Sequence, residues 1–285
     1  MGIKPKDLIG IPWRVAFALQ ADGWYLRKDI IWHKNNPMPE SVTDRCTSSH
    51  EHIFHLTKSA RYFYDNEAVK EPASRGRDYS KENRPIGGRK HRVSEGDINS
   101  RGGTGQYDRD WDSKDYGWAG TTRNRRDVWT ISTKPYRGAH FATFPPKIPE
   151  ICIKAGTSER GCCPVCGAPW VRVVERVPTY DNRPSPMERV RPCRGWGGLN
   201  ATGSHNQTGT ASQTLGFSPS CSCDAGEPVP CTVLDPFAGS GTTGAVAKSL
   251  GRDYILIEAN PAYIPLIEAR LAETKAPPRT TLEDF

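Results

Sequence analysis

Hydrophobic positions along this chain cluster at its two ends and thin out in the middle. Near the N-terminus, Leu8, Ile11, Val15 and Leu19 recur at helical spacing, which predicts a helix over residues 6–20. Pro12 interrupts that pattern, or restarts the helix as a first-turn proline. Leu26 to Trp32 is rich in β-formers and reads as a strand, and Asn35 to Pro39, with two prolines, must be loop. Glu51 to Thr57 and Arg61 to Tyr64 flank Lys58-Ser59-Ala60, which predicts a β-hairpin. Near the other end, Thr232-Val233-Leu234 and Tyr254-Ile255-Leu256-Ile257 are short apolar runs on either side of a helical pattern. That is the order strand, helix, strand.

Between these ends the character changes. From about Glu71 to Asp127 there are 13 Lys/Arg against 10 Asp/Glu, glycine recurs, and aliphatic residues nearly vanish. Tyr79, Tyr107, Trp111, Tyr116 and Trp118 persist. Such a stretch buries too little apolar surface to order by itself. It reads either as a surface insertion or as a nucleic-acid contact region, with Arg and Lys on phosphates and a few side chains on base edges. Residues 178–220, rich in Gly, Ser, Thr and Asn, read as a second, flexible insertion.

The chain has 285 residues, 36% of them hydrophobic, enough for one good core plus insertions. The net charge of +7 fits a nucleic-acid partner without requiring one. No apolar run approaches the ~18 residues of a membrane helix, and the start, M-G-I-K-P-K-D, carries no signal-peptide core. Nine cysteines in such a chain point to a reducing, cytoplasmic setting, hence to metal ligands or free thiols.

The first strand of the C-terminal unit runs into D-P-F-A-G-S-G-T-T-G, Asp235 to Gly244, and the second ends in Glu258. Glycines let backbone N–H groups approach a ligand closely, and an acid at the next strand end can accept hydrogen bonds from a ribose diol. Gly239, Gly241 and Gly244 formally satisfy the dinucleotide pattern G-x-G-x-x-G. A dinucleotide fold, however, needs a second β-α-β-α-β half, and little chain follows Glu258.

The surroundings of the loop resemble a different family, the site-specific DNA amino-methyltransferases that modify N6 of adenine or N4 of cytosine. Their cofactor loop reads D-P-F-x-G-S-G-T-T and their next strand ends E-x-N-P-x-Y, here Glu258, Asn260, Pro261 and Tyr263. His140-Phe141-Ala142-Thr143-Phe144-Pro145 is similar to the H-x-A-x-F-P segment that packs against the cofactor. I-P-W-R (Ile11 to Arg14), G-W-Y-L-R (Gly23 to Arg27), I-I-W-H-K-N-N-P-M-P (Ile30 to Pro39) and S-H-E-H-I-F-H-L-T-K (Ser49 to Lys58) resemble the catalytic half. The order, catalytic half first and cofactor loop last, is that of the β-class.

The resemblance implies an α/β fold, the class I S-adenosylmethionine-dependent methyltransferase (Rossmann-like) sheet in circularly permuted form. It implies double-stranded DNA as partner, as in restriction–modification systems, and no membrane. Gly239, Ser240, Gly241 and Thr242 would cradle the methionine moiety, with Asp235 near its amino group and Glu258 on the ribose. Phe237, Phe144, Pro145 and Asn260 would complete the cofactor cleft. Lys34, Asn36 and Pro37 would stand at the mouth of the target-base pocket. The implied organisation is 1–70 as part of the catalytic half, 71–127 as target-recognition region, and 128–157 as cofactor-packing segment. Then come 158–230 as a metal module, 231–275 as the cofactor-binding β-α-β unit, and 276–285 as tail.

The metal module rests on cysteine spacing. C-C-P-V-C-G, Cys162 to Gly167, is a knuckle whose two thiolates can face one ion, and Cys221 and Cys223 supply a second pair. Cys163, Cys166, Cys221 and Cys223 form a set suited to a structural Zn2+. Cys162 is the alternative to Cys163, the x2 spacing favouring the latter. The pairs stand 54 residues apart and the second is C-x-C, both unusual for a zinc ribbon. His50, His52 and His55 suggest H-E-x-x-H, but position 54 is Phe54. On a strand His50 and His52 share a face and His55 takes the other.

Family members hold the target amino group with a D/N/S-P-P-Y/F/W tetrapeptide. The two Pro-Pro pairs, in Phe144-Pro145-Pro146-Lys147 and Ala276-Pro277-Pro278-Arg279, have neither its polar first residue nor its aromatic last one. The resemblance therefore implies a sheet incomplete on its N-terminal side, with the tetrapeptide expected upstream of Met1. The expectation is an inactive chain when alone: a fragment, one half of an enzyme split between this chain and a complementary N-terminal chain, or a cofactor- or DNA-binding remnant. The rival class is a non-enzymatic DNA-binding protein built from the metal module and the basic insertion.

Overall fold

The structure, a computed structural model, describes residues 2–72, 122–133, 143–180, 207–224 and 226–278, with backbone alone at 178–180 and 207–210. The chain divides into two compact units, Met1–Glu71 with Asn124–Glu175 and Ser212–Phe285, and Pro72–Arg123 with Arg176–Ala211. Most of the second unit, and with it nearly all of the basic 71–127 stretch, lies outside the described residues. The first unit carries the glycine turn and the cysteine pairs.

Helix α1 spans Ile11–Ala21. It begins at Gly10, held at φ 68°, with Pro12 in its first turn, where a missing N–H costs nothing. It stops in a Schellman turn: Gly23 N donates to Gln20 O and Trp24 N to Leu19 O, with Gly23 at φ 96°. The predicted helix is thus real but shorter, because the proline starts it. Of its predicted apolar positions only Leu19 is partly covered. Leu8 is 95% exposed and Ile11 and Val15 more than half exposed, while Ala16 is buried. Trp13 lies edge-on to Phe54 at 4.9 Å, which turns that side of the helix toward the sheet.

Strand β1 is Tyr25–His33 and β2 is His50–Thr57. They pair antiparallel from Tyr25↔Thr57 to His33↔His50, with a bulge between Leu26 and Lys28. β3 (Glu71–Pro72) and β4 (Thr122–Arg123) form a short pair. β5 (Val128–Thr130) adds to the other edge of β1 in parallel. The expected hairpin between 51–57 and 61–64 is therefore corrected. β2 takes its partner from β1, and 61–64 forms no strand; its Tyr62 and Tyr64 rings pack instead against His55, at 5.2 and 5.8 Å. His52 and His50 contact one another on the opposite face, as alternation requires.

α2 (Lys147–Gly156) packs on two sides. Ile151 and Ala155 join Val69 and Trp129, with Ile30, Ile53 and Ile131 around them. Ile153 joins Val246 and Ala247, with Val233, Leu250 and Tyr254. The helix thereby ties the first sheet to the C-terminal β-α-β. β6 (Val171–Tyr180) and β7 (Gln207–Ser218) pair with each other. Arg172, at the base of β6, donates to the buried Asp65 carboxylate at 3.0 Å and to Glu159 at 2.6 Å.

β8 (Thr232–Asp235), α3 (Thr242–Ser249) and β9 (Asp253–Leu256) form the predicted strand, helix, strand, with β8 and β9 parallel from Thr232↔Asp253 to Asp235↔Leu256. A turn at Pro261–Tyr263 leads into α4 (Ile264–Glu273). Val233 and Tyr254 face the helices, whereas Leu234, Ile255 and Ile257 are each more than half exposed. A parallel pair normally has both faces covered.

Candidate functional site

The loop after β8 is shaped by glycine. Gly239 and Gly241 sit at φ 54° and 73°, a backbone region that side chains rarely tolerate. Gly241 is also the N-terminal cap of α3, and a Cβ there would stand 3.1 Å from Ile267 Cγ2. Gly244 lies against the Leu256 side chain, so its lack of Cβ brings helix and strand close.

Polar groups hold the turn. Asp235 Oδ1 accepts from Phe237 N at 3.0 Å, and Ala238 N donates to Ile257 O at 2.9 Å. Glu258 reaches across from the end of β9: Oε2 accepts from Gly239 N at 2.7 Å and Oε1 from Asn260 N at 2.8 Å. Asn260 Oδ1 caps the next turn by accepting from Ala262 N at 3.0 Å. The structure thus gathers Asp235, Gly239, Ser240, Gly241, Thr242, Glu258 and Asn260 around one turn. Phe237, 87% exposed, stands out from it. The Glu258 carboxylate thus stands beside the turn as an acceptor, which suits a ligand carrying a diol.

One side chain that sequence reasoning did not single out also reaches the loop. Arg270, on α4, donates to Ser240 and Thr242. Its helical register with Ile267, which lies under Gly241, is the only trace of this in the sequence.

The remaining candidates are placed elsewhere in the unit. Pro145 is buried and Phe144 exposed, just ahead of α2; His140 to Ala142 fall outside the described residues. Lys34 comes just after β1, pairs with Glu51 and lies 4.8 Å from the centre of the Trp32 ring. Asn36 Oδ1 accepts from Thr133 N at 3.0 Å, and Pro37 beside it is half-buried.

Cys163, Cys166, Cys221 and Cys223 come together, their sulfur atoms all within 4.8 Å of one another. Zn–S bonds of about 2.3 Å in a tetrahedron place sulfurs about 3.8 Å apart, so the donor set fits a tetrahedral ion. Backbone N–H groups of Cys166 and Val165 aimed at Cys163 pull its thiol down to about 7. The neighbouring sulfurs of Cys166 and Cys221 push Cys223 up to about 12. Four crowded thiols cannot all ionise without a cation. Cys162, the alternative, faces away, its Sγ toward Pro230 O. Its backbone pairs with Val229, which stitches the knuckle to the chain entering β8.

A family model described as DNA methylase, for N6/N4 methyltransferases, matches residues 3–163 and 230–269. Among curated relatives, the type II methyltransferase M.Cfr9I of Citrobacter freundii is 36% identical over 270 residues, covering 95% of this chain and 52% of that protein. M.SmaI of Serratia marcescens is 36% identical over 270 residues, covering 95% and 54%. M.HinfI of Haemophilus influenzae is 63% identical over 46 residues, covering 16% and 13%. This chain spans about half the length of the first two. Among solved structures, the cytosine-N4-specific PvuII DNA methyltransferase is similar at TM-score 0.46 and 15% identity, covering 94% of this chain and 60% of that one.

Proposed function

This chain belongs to the DNA methylase family of N6/N4 methyltransferases, and we propose that it binds S-adenosylmethionine in the Asp235–Gly244 loop to methylate an exocyclic amino group of double-stranded DNA. The observation that carries this is the Glu258 carboxylate held 2.7 Å from Gly239 N, an acceptor beside the donors of a glycine turn. On this reading Gly239, Ser240, Gly241 and Thr242 cradle the methionine moiety, Asp235 meets its amino group and Glu258 its ribose. Phe237, Phe144, Pro145 and Asn260 complete the cleft. When bound, the cofactor supplies an electrophilic methyl group. Lys34, Asn36 and Pro37 stand at the mouth of the target-base pocket, and 71–127 contacts the recognised sequence. Zn2+ in the four-cysteine site is structural, since four protein ligands leave no open position.

The target amino group is a poor nucleophile because its lone pair is delocalised, and an acceptor must hold it. We assign that acceptor to a complementary segment bearing a D/N/S-P-P-Y/F/W tetrapeptide. Two observations support this. Leu234, Ile255 and Ile257 leave one face of the β8–β9 pair apolar and exposed, and β8 has β9 as its one strand partner among the described residues.

Tritiated cofactor and mixed-sequence DNA test the reading. The purified chain is expected to bind S-adenosylmethionine in a calorimeter yet incorporate no label alone. Label incorporated by the chain alone would sink the complementary-segment assignment. DNA binding with no affinity for the cofactor would favour a non-enzymatic DNA-binding protein.

A further inference from the structure

We infer that Arg270 is a positioning residue for the cofactor loop, fixing the two residues around Gly241 so that the N–H groups opening α3 receive the cofactor's carboxylate. This rests on the proposed cofactor reading and names the part of the ligand that the loop recognises there.

α4 runs behind the glycine turn. Ile267 packs under Gly241, and one helical turn later Arg270 lies on the same side. Its Nη1 donates to Thr242 Oγ1 at 2.7 Å, to Ser240 Oγ at 3.0 Å and to the Ser240 carbonyl at 3.2 Å. Two N–H hydrogens thus serve three acceptors on the two residues that flank Gly241. Ser240 and Thr242 are each 3% exposed, so these bonds are made out of water, where a charged donor counts for most.

The donor inventory decides what this does. A hydroxyl has one hydrogen and two lone pairs. Both hydroxyls accept from Arg270, which commits a lone pair on each and turns its hydrogen away from the guanidinium. Ser240 Oγ and Thr242 Oγ1 lie 3.3 Å apart, so one hydrogen is taken up between them. Both hydroxyls are thus engaged within the turn, and what faces a ligand is the row of N–H groups that open α3. With the guanidinium charge behind them, these N–H groups favour an anion. In S-adenosylmethionine that group is the carboxylate of the methionine moiety.

The test compares two ligands on the full chain. S-adenosylmethionine carries the carboxylate; 5′-methylthioadenosine keeps the adenine and ribose but lacks the amino acid. In calorimetric titrations, Arg270→Met is expected to weaken S-adenosylmethionine about 10- to 100-fold, while 5′-methylthioadenosine changes less than about twofold. Arg270→Lys, which keeps the charge on a compact point cation, is expected to recover part of the loss. If the R270M chain loses its cooperative melt, R270K carries the same two-ligand comparison. Equal losses for both ligands would mean that Arg270 merely holds the fold, and would overturn this inference alone. A wild-type chain that binds neither ligand overturns the cofactor reading and this inference with it.

Discussion

Replacing Glu258 by Gln isolates the acceptor on which the cofactor reading rests. The amide keeps the length of the side chain and one acceptor oxygen, but turns the other oxygen into a donor. Gly239 N and Asn260 N approach the two carboxylate oxygens at 2.7 and 2.8 Å. An amide must therefore present its NH2 to one of these N–H groups and lose that bond. On the proposed reading, the cofactor's diol would meet the same shortage of acceptors. A hydrogen bond to a charged group contributes about 1.5–3 kcal/mol, equivalent to roughly 10- to 150-fold in affinity. Calorimetric titration of E258Q is expected to show the dissociation constant for S-adenosylmethionine raised by that factor, together with a lower thermal midpoint from the lost bond in the turn. A dissociation constant within about threefold of wild type would refute the role of this carboxylate.

Other parts of the unit give three more expected outcomes. Metal analysis of the purified chain should find about one Zn2+, and chelation should lower the thermal midpoint; a metal-free yet fully folded preparation would count against the site. Arg172→Met should destabilise the fold by about 3–5 kcal/mol, since it strands the buried Asp65 carboxylate. Urea melts of R172M and of the double variant with Asp65→Asn check this, and equal losses would contradict it. Burial, and secondarily Arg27, hold His55 below its ordinary value. The unfolded chain then binds the proton more readily. The stability contributed by neutral His55 is present above about pH 6.5 and lost as the pH falls through that range. The denaturation midpoint of wild type relative to His55→Phe should drop between about pH 7 and pH 5, and a constant difference would exclude the effect.

The parts of the site that could be read ahead of the fold are those written in contiguous residues. The glycine turn needs Gly239 and Gly241 where backbone φ is positive, and those positions come directly after an apolar strand. Glu258 closes the next strand, so a β-α-β unit brings it to the turn without help from the rest of the chain. The C-x-x-C and C-x-C spacings likewise announce a pair of ligands each. α2 is less legible, because Pro145 and Pro146 precede it and Pro149 lies in its first turn, where proline is tolerated.

Local chemistry is therefore a property of short segments, legible without coordinates: a donor-rich turn, an acid at a strand end, two thiol pairs, a proline-started helix. Folding decided which segments meet. It brought the two thiol pairs to one point across 54 intervening residues. It gave β2 to β1 rather than to 61–64, and set Trp13 and Ala16 of α1 toward cover while leaving Ile11 and Val15 outside. It carried Arg270 to the hydroxyls of Ser240 and Thr242. Each of these depends on which surfaces can be buried together and which polar groups must then find partners. Those are properties of the packed chain, not of any stretch of it.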